Sequence, residues 1–239
     1  MRLSLLAALV LGLAAPAAAQ DVDLELVLLA DASGSIDADE IRFQRQGYAE
    51  AITDPSVLQA IAETAYGSIA VTYVEWAGAD SQGVVVPWTV IAGPDSAARF
   101  AEALMGPPRM AYGRNAIGSA LLAAKRLIEE NDIDGWRKVI DFSGDSPNNF
   151  GGPPIRAARD EVLAAGITIN ALAILCRFCS GQAGGGANLE AIYEERIIGG
   201  PGAFVVTADD MESFADAVRR KLILEISGTV PGAPALAAR

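Results

Sequence analysis

The sequence predicts an α/β fold, a three-layer, doubly wound arrangement around a mostly parallel sheet with one antiparallel edge strand. Short apolar runs bounded by polar residues, of which Leu24 to Ala30 is the clearest, are typical of buried strands in parallel sheets. Helical patterns separate most of these runs, which favours parallel pairing through right-handed crossovers. The connection between Trp76 and Val84 is short and contains two glycines, so it predicts a hairpin and hence the antiparallel strand.

The predicted elements follow one another without an internal repeat or an interdomain linker. Strands are expected at 24–30, 69–76, 84–90, 139–143, 167–175 and 203–206, and helices at 39–52, 94–105, 116–130, 188–198 and 209–224, with another helix ending near 165. Asp54-Pro55 ends the first helix. Pro87 places the second hairpin strand at a sheet edge, because proline donates no hydrogen bond to a ladder. Asn115 stands in the N-cap position of the helix at 116–130.

Residues 1–19 are typical of a secretory signal peptide. They combine a basic start, an apolar stretch from Leu3 to Ala15 and an A-x-A cleavage signal at Ala17 to Ala19. An uncleaved membrane anchor is the alternative, which the short apolar stretch and the cleavage signal disfavour. We therefore expect an exported bacterial protein, periplasmic or secreted, with no transmembrane anchor. Its single domain is predicted at 20–227, followed by a disordered tail of Gly, Pro and Ala at 228–239.

Composition excludes several classes of function. The chain has 18 basic and 30 acidic residues and a net charge of −12, which disfavours binding to nucleic acid or to an anionic membrane. It contains no histidine, so a histidine-dependent triad, general base or zinc site cannot be built from this chain.

Oxygen-bearing side chains follow two predicted strands and precede the long helix. Asp31, Ser33 and Ser35 leave the first strand, Asp145 follows a later strand, and Asn115 comes just before the helix. In an open α/β sheet, ligands bind beyond the carboxyl ends of the strands where the winding reverses. Carboxylates and hydroxyls are hard donors that suit Mg²⁺. These residues therefore predict a metal site.

Some of the same residues also have a purely structural interpretation. Ser35 or Asp37 is able to cap the helix that begins near Asp37, while Asp31 accepts hydrogen bonds from turn amides. Glu75 and Asp141 lie inside predicted strands, so both are expected to be buried. Structural hydrogen bonding is one interpretation of these two carboxylates, and support of the metal site is the other.

The arrangement resembles the metal-ion-dependent adhesion site of von Willebrand factor A domains. The resemblance rests on the Asp31-x-Ser33-x-Ser35 pattern after a strand, on a polar residue opening the long helix and on Asp145 after the next strand. The order of strands and helices matches over nearly all of the chain beyond residue 19. Segments 71–76, 143–149 and 198–204 are similar to a bacterial family of exported A-like domains whose function is undescribed. The resemblance implies a fold and a metal site, but no named partner.

The resemblance also implies a role for each site residue. Ser33 and Ser35 would bind Mg²⁺ directly, with Mn²⁺ or Ca²⁺ as alternative ions, while Asp31 and Asp145 would hold its waters and balance its charge. The position contributed by the third loop is normally threonine and is Asn115 here. Asn115 is therefore either a ligand through its amide oxygen or a plain helix cap.

Cys176 and Cys179 have the spacing of a redox motif. They follow a late strand rather than opening the first helix, and in an oxidising compartment a local disulfide is the favoured interpretation. A free or catalytic pair is the alternative. The glycine run from Gly181 to Gly186 lacks the spacing of a phosphate-binding loop and predicts a flexible loop.

These observations favour a binding module that catalyses nothing. In that interpretation the metal accepts a carboxylate from a protein partner, and Ser146, Asn148 and Asn149 form a polar rim around it. A hydrolase is one alternative. A metal-assisted one usually has a pair of Asp residues where this chain has Asp31 and Ser33, and an esterase is suggested because Gly144-Asp145-Ser146 looks like an esterase nucleophile motif. That chemistry needs a histidine base, which the chain lacks. A periplasmic solute-binding protein is the other alternative.

Overall fold

The computed structural model describes residues 20–175, 188–209 and 211–228. The strands are β1 (Gln20–Asp31), β2 (Ile69–Trp76), β3 (Gln82–Ile91), β4 (Ile133–Gly144), β5 (Thr168–Ile174) and β6 (Val205–Ala208). The helices are α1 (Ala38–Thr53), α2 (Pro55–Ala62), α3 (Pro94–Met105), α4 (Ile117–Glu129), α5 (Ile155–Ala164), α6 (Leu189–Arg196) and α7 (Met211–Ser227). The signal peptide at 1–19, Cys176, Cys179, the glycine run and residues 229–239 lie outside the described residues, so the expectations for them stay predictions.

The strands form one sheet in the order β3-β2-β1-β4-β5-β6. All neighbouring pairs are parallel except β2 and β3, which are antiparallel and place β3 at the edge. The predicted α/β fold class is therefore confirmed. Because β1 lies between β2 and β4, the winding direction reverses beside it, and the crevice for a ligand lies at the carboxyl ends of β1 and β4.

Each face of the sheet carries its own hydrophobic core. Leu24, Leu26 and Leu28 of β1 pack with α1, α2, α3 and α7 on one face. Val27 and Leu29 of the same strand pack with α4, α5 and α6 on the other. A strand covered on both faces has no solvent side, which explains why residues 26–30 form a continuous apolar run.

Two of the differences from the sequence expectation concern α2 and the start of β4. Asp54 ends α1, but its side chain also accepts the amide hydrogen of Ser56 and so caps α2, a helix that the sequence analysis missed. Pro55 stands in the first turn of α2, where its missing N–H costs nothing. The strand expected at 139–143 begins earlier, at Ile133, because its polar first half pairs with the polar start of β1.

Both carboxylates expected to be buried inside strands are buried and paired with a cation. Glu75 lies 2.6 Å from the guanidinium of Arg45, and Asp141 lies 2.8 Å from the ammonium of Lys221. Burial of a charge is tolerated when it is paired in this way. No helix in the described part of the chain is both long and apolar enough to cross a membrane.

Candidate metal centre

The loop after β1 turns its oxygen atoms toward one point. The Oδ1 atom of Asp31 accepts a hydrogen bond of 2.7 Å from the amide of Ser33, and this contact fixes the turn. The hydroxyl oxygens of Ser33 and Ser35 then lie 3.2 Å apart. The helix cap at the start of α1 is formed by Asp37, whose side chain accepts from the amides of Asp39 and Glu40. Helix capping therefore does not use Ser35.

Asp145 reaches the same point from the end of β4. The Ser35 hydroxyl donates to its Oδ1 atom across 3.4 Å, which joins residues 110 positions apart in sequence. Gly144 permits this approach. A Cβ atom there would lie 3.2 Å from Oδ2 of Asp31 and 2.9 Å from the Tyr193 hydroxyl. The sheet register thus brings two carboxylates and two hydroxyls together at the switch point.

The two carboxyl groups lie in an environment that disfavours their charge. Burial, and then the charge of Asp145, raise the pKa of Asp31 to about 7. Burial also raises the pKa of Asp145. Oδ2 of Asp31 is buried without a hydrogen-bond partner among the described residues. A cation beside Oδ2 of Asp31 would give this oxygen a partner and would stabilise the charged forms of both carboxylates.

The donor set fits a hard divalent cation. All of its members are oxygen atoms, as Mg²⁺ prefers. Within residues 20–175, 188–209 and 211–228, no three Asp, Glu, Cys or His side chains cluster as a metal cage. Asp31 and Asp145 are the carboxylates of the candidate site, and they lie beside the hydroxyls of Ser33 and Ser35.

Asn115 does not cap α4, so the helix-cap prediction for this residue is wrong. The N-cap is Ala116, which has no side chain able to cap, and the helix begins at Ile117. The amide of Gly118 is instead satisfied by Oδ1 of Asn149, at 3.2 Å. Asn115 is buried, and its Nδ2 atom has no hydrogen-bond partner in the part of the chain described. The Asn115 side chain therefore does not form the N-terminal cap of α4.

Of the three predicted rim residues, Asn149 is partly buried, and hydrogen bonds fix its side chain. Besides accepting from Gly118, its side chain donates to the carbonyl of Pro153 across 3.1 Å. Ser146 is partly exposed and its hydroxyl accepts from the amide of Asn148, at 3.3 Å. The side chain of Asn148 is exposed. Ser146 and Asn148 therefore border the site, whereas Asn149 braces the loop behind it.

Arg109 fixes the serine loop and was missed by the sequence analysis. Its guanidinium donates to the carbonyls of Ala32, Ser33 and Ile36, and the last of these contacts measures 3.0 Å. The Gly34 amide also donates to the carbonyl of Gly113, at 2.8 Å. Because these contacts go to backbone atoms, no side-chain motif could have revealed them.

Exposed aromatic side chains lie beside the polar residues around the site, which the sequence analysis also missed. Tyr112 and Phe150 are 61% and 52% exposed. The guanidinium of Arg114 stacks on the Phe150 ring at 3.7 Å from its centre. Large side chains such as Tyr112 within a Pro/Gly loop were the available signal, because a loop offers them little core to fill.

The chain matches one protein-family model over most of its length. Residues 21–230 match the model of a family described as protein of unknown function, DUF1194. The chain belongs to the DUF1194 family. No protein with a curated description matches this DUF1194 member in sequence.

Solved structures show that this DUF1194 member has the von Willebrand factor A fold. The SpRpn10 VWA domain is 13% identical, with a TM-score of 0.56 over 85% of this chain and 97% of that one. The pilus adhesin SpaC of Lactobacillus rhamnosus GG is 13% identical, with a TM-score of 0.58 over 90% of this chain and 31% of that one.

A third structure carries a metal. Proximal thread matrix protein 1 of the mussel byssus, solved with a zinc-occupied MIDAS motif, is 16% identical, with a TM-score of 0.55 over 88% of this chain and 50% of that one. The DUF1194 chain spans half or less of the mussel protein and the adhesin. At these identities the similarity concerns the fold.

Proposed function

We propose that this protein is an exported, metal-dependent protein-binding module. The observation that carries the proposal is the convergence of Asp31, Ser33, Ser35 and Asp145 at the switch point of the sheet. Mg²⁺ is the proposed ion, with Mn²⁺ and Ca²⁺ as alternatives, because every donor is a hard oxygen. Export is proposed from the signal sequence at 1–19.

The proposed ion would accept a carboxylate from the partner. Ser33 and Ser35 would ligate it directly, and Asp31 and Asp145 would hold its waters. Because Asp31 and Asp145 would face the ion only through its waters, its direct protein ligands would be neutral hydroxyls, and the ion would remain attractive to an anionic ligand. The acidic net charge of the chain does not oppose this, since the ion is the largest charge at the site.

The surface around the site suits a protein ligand. Tyr112, Phe150 and Arg114 are exposed beside it, and tyrosine and arginine are enriched among the residues that dominate binding energy at interfaces. The aromatic rings would add apolar contact area to a carboxylate anchor. The ion would then fix the position of the partner's carboxylate, and the aromatic rings would contribute most of the apolar surface buried.

Catalysis is not part of the proposal. The esterase-like Ser146 has no histidine to activate it anywhere in the chain. Its hydroxyl accepts from the Asn148 amide, and its carbonyl accepts from the Tyr193 hydroxyl, at 3.1 Å. These hydrogen bonds are typical of a loop residue, and neither of them would activate the Ser146 hydroxyl as a nucleophile.

Binding of Mg²⁺ should stabilise the protein. At a Mg²⁺ concentration 100-fold above Kd, mass action raises the free energy of unfolding by about 2.7 kcal/mol. Thermal unfolding in Mg²⁺ and in EDTA, together with titration calorimetry, measures this. Ser35→Ala should lose most of the effect. Equal melting temperatures in both buffers, with no calorimetric signal for the wild type, would contradict the metal site.

Asp145→Ala should abolish metal-dependent capture of a partner while leaving the fold intact. Losing a residue that holds metal-bound waters weakens ion binding by about 10- to 100-fold. The measurement is a pull-down from periplasmic extract in Mg²⁺ or EDTA, with circular dichroism as the folding control. Asn115→Thr is the matched variant and should keep or strengthen capture, because it restores the hydroxyl usual in similar domains. Full capture by Asp145→Ala, or metal-dependent turnover of a substrate that this variant loses, would refute the proposal.

A further inference from the structure

A groove of about 750 Å³ opens beside the candidate metal centre. Pro147 and Asn148 form one wall, and side chains from the first turns of α5 and the end of α6 form the other. Pro147 follows Asp145 by two residues, so their Cα atoms lie within about 7.6 Å of each other. One wall of the groove therefore begins two residues after Asp145 of the site proposed to hold the ion.

The groove is lined by three arginines, Arg156, Arg159 and Arg196. Two carboxylates also line it. Asp160 lies 3.8 Å from Arg156, and Glu195 lies 3.9 Å from Arg196, both at the outer limit of an ion pair. Exposed pairs of this kind contribute little, so the arginine charges stay available to a ligand.

The arginines differ in how firmly they are held. Arg159 is fixed, because its Nε atom donates to the carbonyl of Ile198 across 2.6 Å. The side chains of Arg156 and Arg196 are 90% and 58% exposed and project from helices. The groove thus combines one anchored guanidinium with two that are free to adapt.

The sign of the charge is unusual for this protein. Three arginines against two carboxylates give the groove a net charge of +1, whereas the chain as a whole carries −12. The first turn of α5 contains no acidic residue. A locally basic groove attracts an anionic ligand at this place, although the protein as a whole is acidic.

We propose that this groove binds a run of acidic side chains in the protein partner, next to the residue whose carboxylate completes the metal site. The proposal rests on the proposed function for the position of that first carboxylate. An extended peptide advances about 3.3 Å per residue, so neighbouring acidic residues of one segment would pass from the ion to the arginines. The docking segment of the partner is thus an acidic peptide.

The test uses fluorescein-labelled hexaglutamate, with hexaglutamine as the uncharged control. Fluorescence anisotropy in Mg²⁺ should show binding of hexaglutamate that weakens with salt and no comparable binding of hexaglutamine. The double variant Arg156→Gln/Arg196→Gln should bind hexaglutamate about five- to tenfold more weakly, as expected for two exposed charges. Arg126→Gln, an exposed position in the last turn of α4, is the matched control and should bind like the wild type.

Calorimetry with Mg²⁺ alone separates this inference from the proposed function. If Mg²⁺ binds but hexaglutamate fails to bind, or binds the double variant as well as the wild type, the groove proposal is wrong and the metal site stands. If Mg²⁺ does not bind but the double variant still loses hexaglutamate in EDTA, the groove stands and the metal proposal fails. Equal binding of hexaglutamine, or binding of phosphatidylglycerol vesicles without hexaglutamate, would also overturn the acidic-peptide assignment.

Discussion

Lys221→Met is expected to lower the free energy of unfolding by about 3–5 kcal/mol, the usual cost of removing one partner from a buried ion pair. Lys221 has no exposed surface, and its ammonium contacts both Asp141 and Glu225. Without it, two buried carboxylates face each other without their cation, and the Asn170 amide, 2.9 Å from Glu225, remains as a hydrogen-bond donor. Urea denaturation followed by circular dichroism measures the loss. Arg220→Met, the exposed neighbour on α7, should change stability by no more than about 0.5 kcal/mol.

Glu225→Gln provides the second control, through pH. Burial, and then the charge of Asp141, raise the pKa of Glu225 from 4.5 to about 7 in the folded protein. Because the folded-state pKa is higher than the unfolded one, the wild type should lose stability as the pH rises from about 4.5 to 7, and the dependence should end above that. The glutamine variant should lack this contribution. A change of less than about 1 kcal/mol in Lys221→Met would show that the cluster is not a tightly coupled buried network.

Arg45→Met should both destabilise the protein, by about 3–5 kcal/mol, and weaken Mg²⁺ binding. Arg45 is almost fully buried against Glu75 and also donates to the carbonyls of Leu104, Pro107 and Pro108. The other oxygen of Glu75 accepts from the Met110 amide across 2.6 Å. The substitution therefore leaves a buried carboxylate without its cation and loosens the loop at 106–113.

The loop links stability to the proposed site, so two measurements are needed. Arg109 and Gly113 of this loop hold the backbone around Ser33, and movement of the loop should displace the serine hydroxyls. Denaturation gives the stability change, and calorimetry at a temperature where the variant is folded gives the Mg²⁺ affinity. Arg42→Met, one turn earlier on α1 and 69% exposed, should alter neither. Unchanged Mg²⁺ affinity in Arg45→Met would contradict the coupling.

The parts of the fold that could be predicted depend on local pattern. β1 is buried on both faces, so its apolar run identified a central parallel strand before any partner was known. Once β1 and β4 are parallel, Asp31 and Asp145 must leave the same edge of the sheet, and their proximity follows from topology alone. The proximity of site residues that follow strand ends, such as Asp31 and Asp145, could therefore be predicted from the sequence.

Contacts made by loops that fold back onto other elements could not be predicted from the sequence. Asn115 has the residue type and position of a helix cap, yet Asn149 supplies the hydrogen bond, because the loop after β4 returns to the start of α4. Arg109 acts on backbone carbonyls, which every sequence has, so its partners leave no mark in the residue pattern. Which residue makes each of these hydrogen bonds is decided by tertiary packing rather than by the local helix or capping propensity of a residue.

Because arginine side chains hold the loop at 106–113 through main-chain atoms, its outward-facing side chain at Met110 is separable from the proposed ion site. Met110 is 42% exposed while its backbone amide is the group that Glu75 holds. Exchanging the side chain at 110 changes what the loop presents without removing a contact that positions Ser33, whereas Tyr112 contacts Arg109 through both its ring and its hydroxyl. In the proposed function the ion would then be a constant anchor, and exposed side chains of the loop such as Met110 would be positions at which partner preference is changed with little effect on the site.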